Sequence, residues 1–213
     1  MATHPSYAQE PVRTPRRLET SEIDAASYAL GRAFYDDPLM MYLMPSDARR
    51  TRAMPHVMRC AVRMAVPEGH SFTTAPADGA ALFLPPGTAQ VPLKRVLRVI
   101  LPQAWRFGFG PLSRYMAVTD ELQRKHPASD HWYLMTLGVD PDRQGRGLGG
   151  AMMSAILPRA EAEGTDVYLE TNKPRNVVFY QKNGFKVREH FRCHGGRGPE
   201  TWTLIRERGQ FHA

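Results

Sequence analysis

With 213 residues, 42% of them hydrophobic and 23% charged, the chain can bury a substantial core and is not of the disordered or fibrous classes. Its formal net charge of +7 suits an anionic partner, yet the arginines are scattered rather than gathered in a run, which argues against a nucleic-acid binder. Cys60 and Cys193 are too few and too far apart for a disulfide framework or a zinc site, the first residues show no apolar leader-like run, and no stretch reaches the ~18 apolar residues of a membrane helix, so the expectation is a cytoplasmic protein without metal.

Residues 1–11, rich in Pro, Thr and Ser, read as a loose tail, and residues 12–213 as one domain. A first helix follows Thr20 and Ser21, either of which can cap it, because Ile23, Ala26, Leu30 and Phe34 recur at helical spacing; Asp36, Asp37 and Pro38 end it. The Met-rich segment DDPLMMYLMP then reads as a loop, and a second helix over 46–66 as one interrupted by Pro55. Strands over 71–75 and 80–84 form a hairpin closed by Pro85, Pro86 and Gly87. Residues 91–125 read as two inserted helices, broken by Pro102 and by GFGP at 108–111.

The C-terminal part alternates: a strand over 132–139, a helix over 147–163 with a bend at Pro158, a strand over 167–170, a short helix over 175–182, and strands over 185–191 and 201–205. Strands and helices of this kind share one mixed α/β sheet.

Between the first two of these elements lies DRQGRGLGG, residues 142–150. Gly145, Gly147 and Gly150 spell G-x-G-x-x-G, and Glu170 follows where a dinucleotide fold keeps its ribose-binding acid. That parse requires the first glycine at the strand end; here residues 140–144 intervene, Pro141 cannot extend the ladder, and only 63 residues remain after Gly150. The alternative is Q-x-x-G-x-G, made by Gln144, Gly147 and Gly149: a loop of backbone N–H groups opening onto a helix N-terminus, with Arg143 and Arg146 adding positive charge for a phosphate.

The runs WYLMTLGVDPDRQGRGLGGAMM and VYLETNKPRNVVFYQKNGF resemble the acetyl-CoA-binding half of the GNAT N-acetyltransferases, and among them the subgroup of puromycin N-acetyltransferase-like enzymes. AFYDDPLM and ALFLPPG are weaker echoes upstream. The resemblance implies a GNAT fold: a mixed, mostly antiparallel sheet of six or seven strands, splayed between the strands ending near Val139 and Glu170, with helices on both faces. Residues 12–130 would form the acceptor-side half and 131–213 the acetyl-CoA half.

It further implies that the backbone of Leu137, Gly138 and Val139 bonds the pantetheine arm, that N–H groups over Gln144, Gly145, Arg146, Gly147, Leu148, Gly149 and Gly150 meet the pyrophosphate, and that Asn176 bonds the cofactor arm. Tyr180, one helical turn from Asn176, would direct its hydroxyl at the thioester sulfur, where a phenol can hydrogen-bond or protonate a departing thiolate. Gly138 among large strand residues independently suggests a bulge or a close approach. The strand HWYLMTLGV carries no carboxylate, so Glu170 is the first candidate for general base, ahead of His131, Asp130 or a water-borne route.

Asp36 and Asp37 either attract a cationic amine or simply end a helix, and with Met41 and Tyr42 of the Met-rich segment they are the candidate acceptor-binding residues; His190 and His194 lie near that pocket or on the surface. Neither cysteine has a motif for a ping-pong nucleophile. The sequence thus predicts an acetyl-CoA-dependent transferase acting on a small-molecule primary amine, an antibiotic or aminonucleoside among the possibilities, by direct attack in a ternary complex, as a monomer or homodimer. The competing readings are a non-catalytic acyl-CoA sensor and an acetyltransferase of protein lysines or N-termini.

Overall fold

A computed structural model describes residues 14–75, 78–88, 93–103 and 109–209. The expected tail over residues 1–11 lies outside these.

Seven strands form one sheet in the order β1-β2-β3-β4-β5-β7-β6. They are β1 (Arg16–Arg17), β2 (Ser71–Thr73), β3 (Gly79–Leu84), β4 (His131–Val139), β5 (Asp166–Thr171), β6 (Lys186–Arg192) and β7 (Glu200–Arg206). All neighbours are antiparallel except β4 and β5. The two-residue β1 has no signal in the sequence; it exists because Arg16 and Arg17 pair with Thr73 and Phe72.

The sheet has a core on each face, and β3 supplies both. Ala80, Leu82 and Leu84 face one cluster with α1 (Ile23–Ala33), α2 (Pro38–Leu43) and α3 (Asp47–Ala65); Ala81 and Phe83 face the other. Period-two alternation with every residue buried is the mark of a central strand covered on both sides. The second cluster takes in α6 (Leu148–Ser154), α7 (Leu157–Ala162) and α8 (Pro174–Lys182) through Met152, Met153, Ile156, Ala160 and Tyr180. Between the halves run α4 (Leu93–Ile100) and α5 (Phe109–Gln123), the inserted pair expected from the sequence.

Four helix readings differ from expectation. The Met-rich segment is not a loop: Asp37 caps α2 by accepting from Leu39 N–H at 3.0 Å, and Pro38 occupies the first helical position, where its missing N–H costs nothing. Pro55 does not interrupt α3, which runs unbroken from its Ser46 cap. Gly31 of α1 packs against it so closely that a Cβ there would lie 3.2 Å from Pro55 N. The first turn of α1 is a 3-10 segment, Thr20–Glu22, and Glu22 reaches back to Glu19 N–H at 3.0 Å, so neither Thr20 nor Ser21 is the cap. The bend expected at Pro158 is a full break, since Ala155 and Ile156 separate α6 from α7 and Pro158 sits in the first turn of α7.

The tightest joint of the sheet is between β3 and β4 beside the coming loop. Gly79 has φ +131°, and a Cβ on it would lie 2.0 Å from the Gly138 carbonyl oxygen. Gly79→Ala is therefore expected to cost about 3 kcal/mol of stability, strain and overlap together. Gly87→Ala, at φ +78° in open space, should cost only about 1 kcal/mol. Urea unfolding of both variants checks the contrast, and equal losses would show that the β3–β4 joint is not close-packed.

Candidate active site

β4 and β5 are hydrogen-bonded partners only at His131–Tyr133 against Asp166–Tyr168. Beyond Tyr133 the two strands separate, and β4 continues with β3 alone. Its ladder carries a bulge: Leu82 pairs with Thr136 and Phe83 with Leu134, so Met135 is an extra residue without a partner. A bulge bends its strand and re-aims the adjoining backbone. The bulge is thus at Met135 and not at Gly138. Gly138 does serve a close approach, but to α1: a Cβ there would lie 2.7 Å from Leu30 Cδ2 and 2.9 Å from Phe34 Cε2.

The separation opens a cavity of about 240 Å³. Its polar wall takes Leu134–Leu137 from β4, Glu170 and Thr171 from β5, Asn176 and Tyr180 from α8, and Asp37 from the cap of α2. Asn176 and Tyr180 share a helix face, as their spacing predicts, and Asn176 Nδ2 donates to Thr171 Oγ1 at 3.2 Å. Tyr180 is 6% exposed, and burial, reinforced by the charge of Asp37, pushes its phenol well above the ordinary tyrosine range.

Glu170 faces a cluster of rings that the sequence did not announce. Its Oε1 lies 3.2 Å from His126 Nε2, at angles outside hydrogen-bond geometry, with side chains 9% and 6% exposed. Burial, together with this carboxylate, raises the phenols of Tyr133 and Tyr168 and keeps both protonated. His126 Nδ1 is 3.0 Å from His131 Nε2, and His131 Nδ1 is 2.7 Å from the Ser129 carbonyl.

A carbonyl only accepts, so His131 donates from Nδ1 and its Nε2 accepts from His126. His126 then presents its Nε2 to the Glu170 carboxyl group. Burial depresses the His131 imidazole, which keeps it the neutral link. His131 sits behind Glu170 and not on the cavity wall; Asp130, another candidate, is exposed at the turn before β4.

The candidate acceptor residues separate by helical phase. Asp37 lines the cavity, and so do Met40, Leu43 and Met44 on the inner face of α2. Met41 is 41% exposed on the outer face. Tyr42 is turned to the side, its hydroxyl 2.6 Å from His194 Nδ1, and neither Met41 nor Tyr42 is on the cavity wall. Asp36 pairs with Lys173 Nζ at 2.5 Å, also outside the cavity. His190, exposed on β6, stacks on Trp202 and pairs with the exposed Glu200 at the start of β7. Cys60 is on the far wall, where burial pushes its thiol up to about 11 and so keeps it protonated and a poor nucleophile.

The glycine loop emerges from the outer end of β4. Gly145 and Gly147 have φ of +80° and +74°, conformations for which glycine is suited, and Gly147 is the N-cap of α6. Gly149 is small for another reason: a Cβ would touch Phe179 of α8 at 3.4 Å, while one on Gly150 would meet open space. Gln144 is an anchor, its Nε2 donating to the Val139 carbonyl at 3.0 Å. The N–H groups of Leu148, Gly149 and Gly150 lie in the first turn of α6, where no intrahelical acceptor is available.

Arg143 and Arg146 border a groove beside this loop together with Arg32 and Tyr28 of α1. Arg32 pairs with Asp142 at 3.0 Å and lies 3.4 Å from Asp140. Neither Arg32 nor His126 stands in a motif; both reach the site through the packing of α1 and of the turn after α5, which no local pattern reports.

Asp37 carries a testable cost. It is 6% exposed, and burial raises its carboxyl above the usual range, Lys173 opposing. The folded state therefore holds the proton more tightly than the unfolded chain, and this group's contribution to stability falls as pH rises through its titration. Asp37→Asn keeps an acceptor for Leu39 N–H while removing the buried charge. The variant should match or exceed the wild type in thermal stability at neutral pH and lose that advantage at low pH, and a markedly lower melting temperature at pH 7 would contradict it.

Residues 108–187 match the family described as acetyltransferase (GNAT) domain. An uncharacterized N-acetyltransferase of Schizosaccharomyces pombe is 25% identical over 183 residues, covering 80% of this chain and 73% of that protein. Among solved structures, one named as histone acetyltransferase HPA2 and related acetyltransferase from Corynebacterium glutamicum superposes with a TM-score of 0.69 at 18% identity, over 95% of this chain and 99% of the other. The polyamine N-acetyltransferase of Drosophila melanogaster, which forms N-acetylagmatine, gives 0.62 at 16% identity over 91% and 99%. Arylalkylamine N-acetyltransferase 2 of Aedes aegypti gives 0.60 at 14% identity over 91% and 97%. The chain has the GNAT fold, and its residues 108–187 are similar to the GNAT acetyltransferase domain family. The narrower resemblance to the puromycin subgroup finds no support among these relatives.

Proposed function

We propose that the protein transfers the acetyl group of acetyl-CoA to a primary amine of a small molecule, by direct attack within a ternary complex. The observation that carries this reading is the cleft between β4 and β5, where Glu170, Tyr180 and Asp37, from three different elements, line one cavity, with the glycine loop at the outer end of β4. The agmatine, polyamine and arylalkylamine enzymes that share the fold support a small amine as acceptor.

The residues present fit acetyl-CoA. Beyond Tyr133 the β4 backbone has no β5 partner, which suits an added extended arm, and the first turn of α6 with Arg143, Arg146 and Arg32 suits a diphosphate. The bound cosubstrate supplies an acetyl thioester. Asn176 offers a side-chain amide to the arm, and Leu134–Leu137 offer backbone groups to the acetyl oxygen.

Asp37 holds the incoming ammonium and gains a counter-charge that offsets its burial. Glu170 takes the proton that the amine must lose, with His126 Nε2 3.2 Å from its Oε1. Tyr180 serves the leaving thiolate. Since its phenol lies well above the ordinary range, whereas a thiol titrates near ~8.5, its role is a hydrogen bond to sulfur more than a completed proton transfer. The buried, protonated Cys60 fits a mechanism without an acetyl-cysteine.

Thiol release from acetyl-CoA over a panel of primary amines tests the reading. Tyr180→Phe and Glu170→Gln should each lower kcat/KM by about 10² or more while leaving acetyl-CoA binding intact. Cofactor binding with no amine-stimulated release in the wild type would mark a sensor in place of an enzyme. Turnover within threefold of wild type in either variant would remove that residue from the chemistry.

A further inference from the structure

Charge is unevenly distributed around the cavity. Asp37 and Glu170 are the charged residues among its described lining, and Asn176, Thr171 and Tyr180 stand with them: Asn176 bonds Thr171, and the Asp37 charge acts on Tyr180. Away from the carboxylates the wall is built by α2, α3, α4 and α5, with Met40, Met44, Met58, Met64, Ile100 and Leu112 among its side chains and Tyr115 and Thr119 as its polar but uncharged members, the Thr119 hydroxyl being spent on the Tyr115 carbonyl of its own helix. Its far limit is a separate apolar cluster in which Cys60 and Met64 of α3 pack on Val96, Val99 and Ile100 of α4. The rise of the Cys60 thiol through burial reports the same low polarity.

We infer that the acceptor is a lipophilic primary monoamine, one ammonium carried on an alkyl or arylalkyl body, and that the Met-lined arm selects it. This rests on the transferase reading for the identity of the reacting amine, and on the cavity alone for the nature of the body. A single ammonium finds Asp37 and Glu170, and its apolar body leaves water for the arm. A diamine or a guanidino-amine of similar length would carry a second charge into methionine and leucine, with no carboxylate beyond Asp37 and Glu170 among the described lining residues to meet it. A lysine peptide would bring backbone amides to the same surface and leave them unpaired. Methionine, flexible and polarisable, lets one arm accept bodies of different outline.

Calorimetric titration of the CoA-saturated protein reads this directly. Along n-alkylamines from ethyl to octyl, each methylene that enters the arm should tighten binding about fourfold until the arm is filled. Octylamine and 2-phenylethylamine should bind at least tenfold tighter than putrescine or agmatine. Equal affinities, or the reverse order, overturn the inference.

Ala61→Phe, which puts a ring into the arm from α3, should flatten the chain-length dependence, with acetyl-CoA binding and thermal melting confirming the fold. An unchanged slope would show that the amine body lies elsewhere and overturn the inference as well. Thiol release separates the two readings. Tight binding of the apolar amines without release rejects the transferase and upholds this inference, whereas release that is faster with putrescine or agmatine upholds the transferase and rejects it.

Discussion

From Leu134 to Val139 the fourth strand is hydrogen-bonded on one side only, because β5 leaves it after Tyr133. Backbone N–H and C=O groups in a protein interior need partners, so a central strand with an open side is stable only beside water or a ligand. The rest of the site follows from this opening. The bulge at Met135 re-aims the backbone within it, the separated strand carries Glu170 and Thr171 on its other wall, and α8 brings Asn176 and Tyr180 across its base. Gln144, bonded to the Val139 carbonyl, ties the glycine loop to the outer end of the same strand.

The charges are sorted around this opening in a way that the net charge of +7 conceals. Arginines 32, 143 and 146 border the loop on the outside, while the charged groups lining the cavity are carboxylates. The positive and the negative groups thus line two separate concavities. Asp37 shows how such an arrangement trades stability for use: its burial raises its carboxyl and costs the free protein stability, and a bound cation reverses that penalty. Behind Glu170 the histidines are ordered in series. A backbone carbonyl at Ser129 orients His131, His131 orients His126, and the last nitrogen of the series faces the carboxylate.

Much of the scaffold was legible because its signals are local. The order of strands and helices over 131–206 followed from alternating apolar runs and breakers, and the pairing of Asn176 with Tyr180 from helical spacing alone. Local patterns failed where a residue's meaning depended on what packs against it. Pro55 remained inside a helix, DDPLMMYLMP became a capped helix whose phase puts Asp37, Met40 and Met44 inward and Met41 outward, and Gly138 proved to be a seat for α1.

The sequence by itself determined the loop and the helix face, since glycines needed at positive φ and side chains four residues apart are properties of neighbours along the chain. Tertiary structure alone decided where β4 and β5 part, which residue bulges, and which acid and which histidine meet: Glu170 and His126 are 44 positions apart in the chain, and their contact is made by strand register and by the turn after α5. The glycines 145, 147 and 149 serve two needs under one pattern, left-handed backbone at the first two and room for Phe179 at the third, and only the packed α8 distinguishes them.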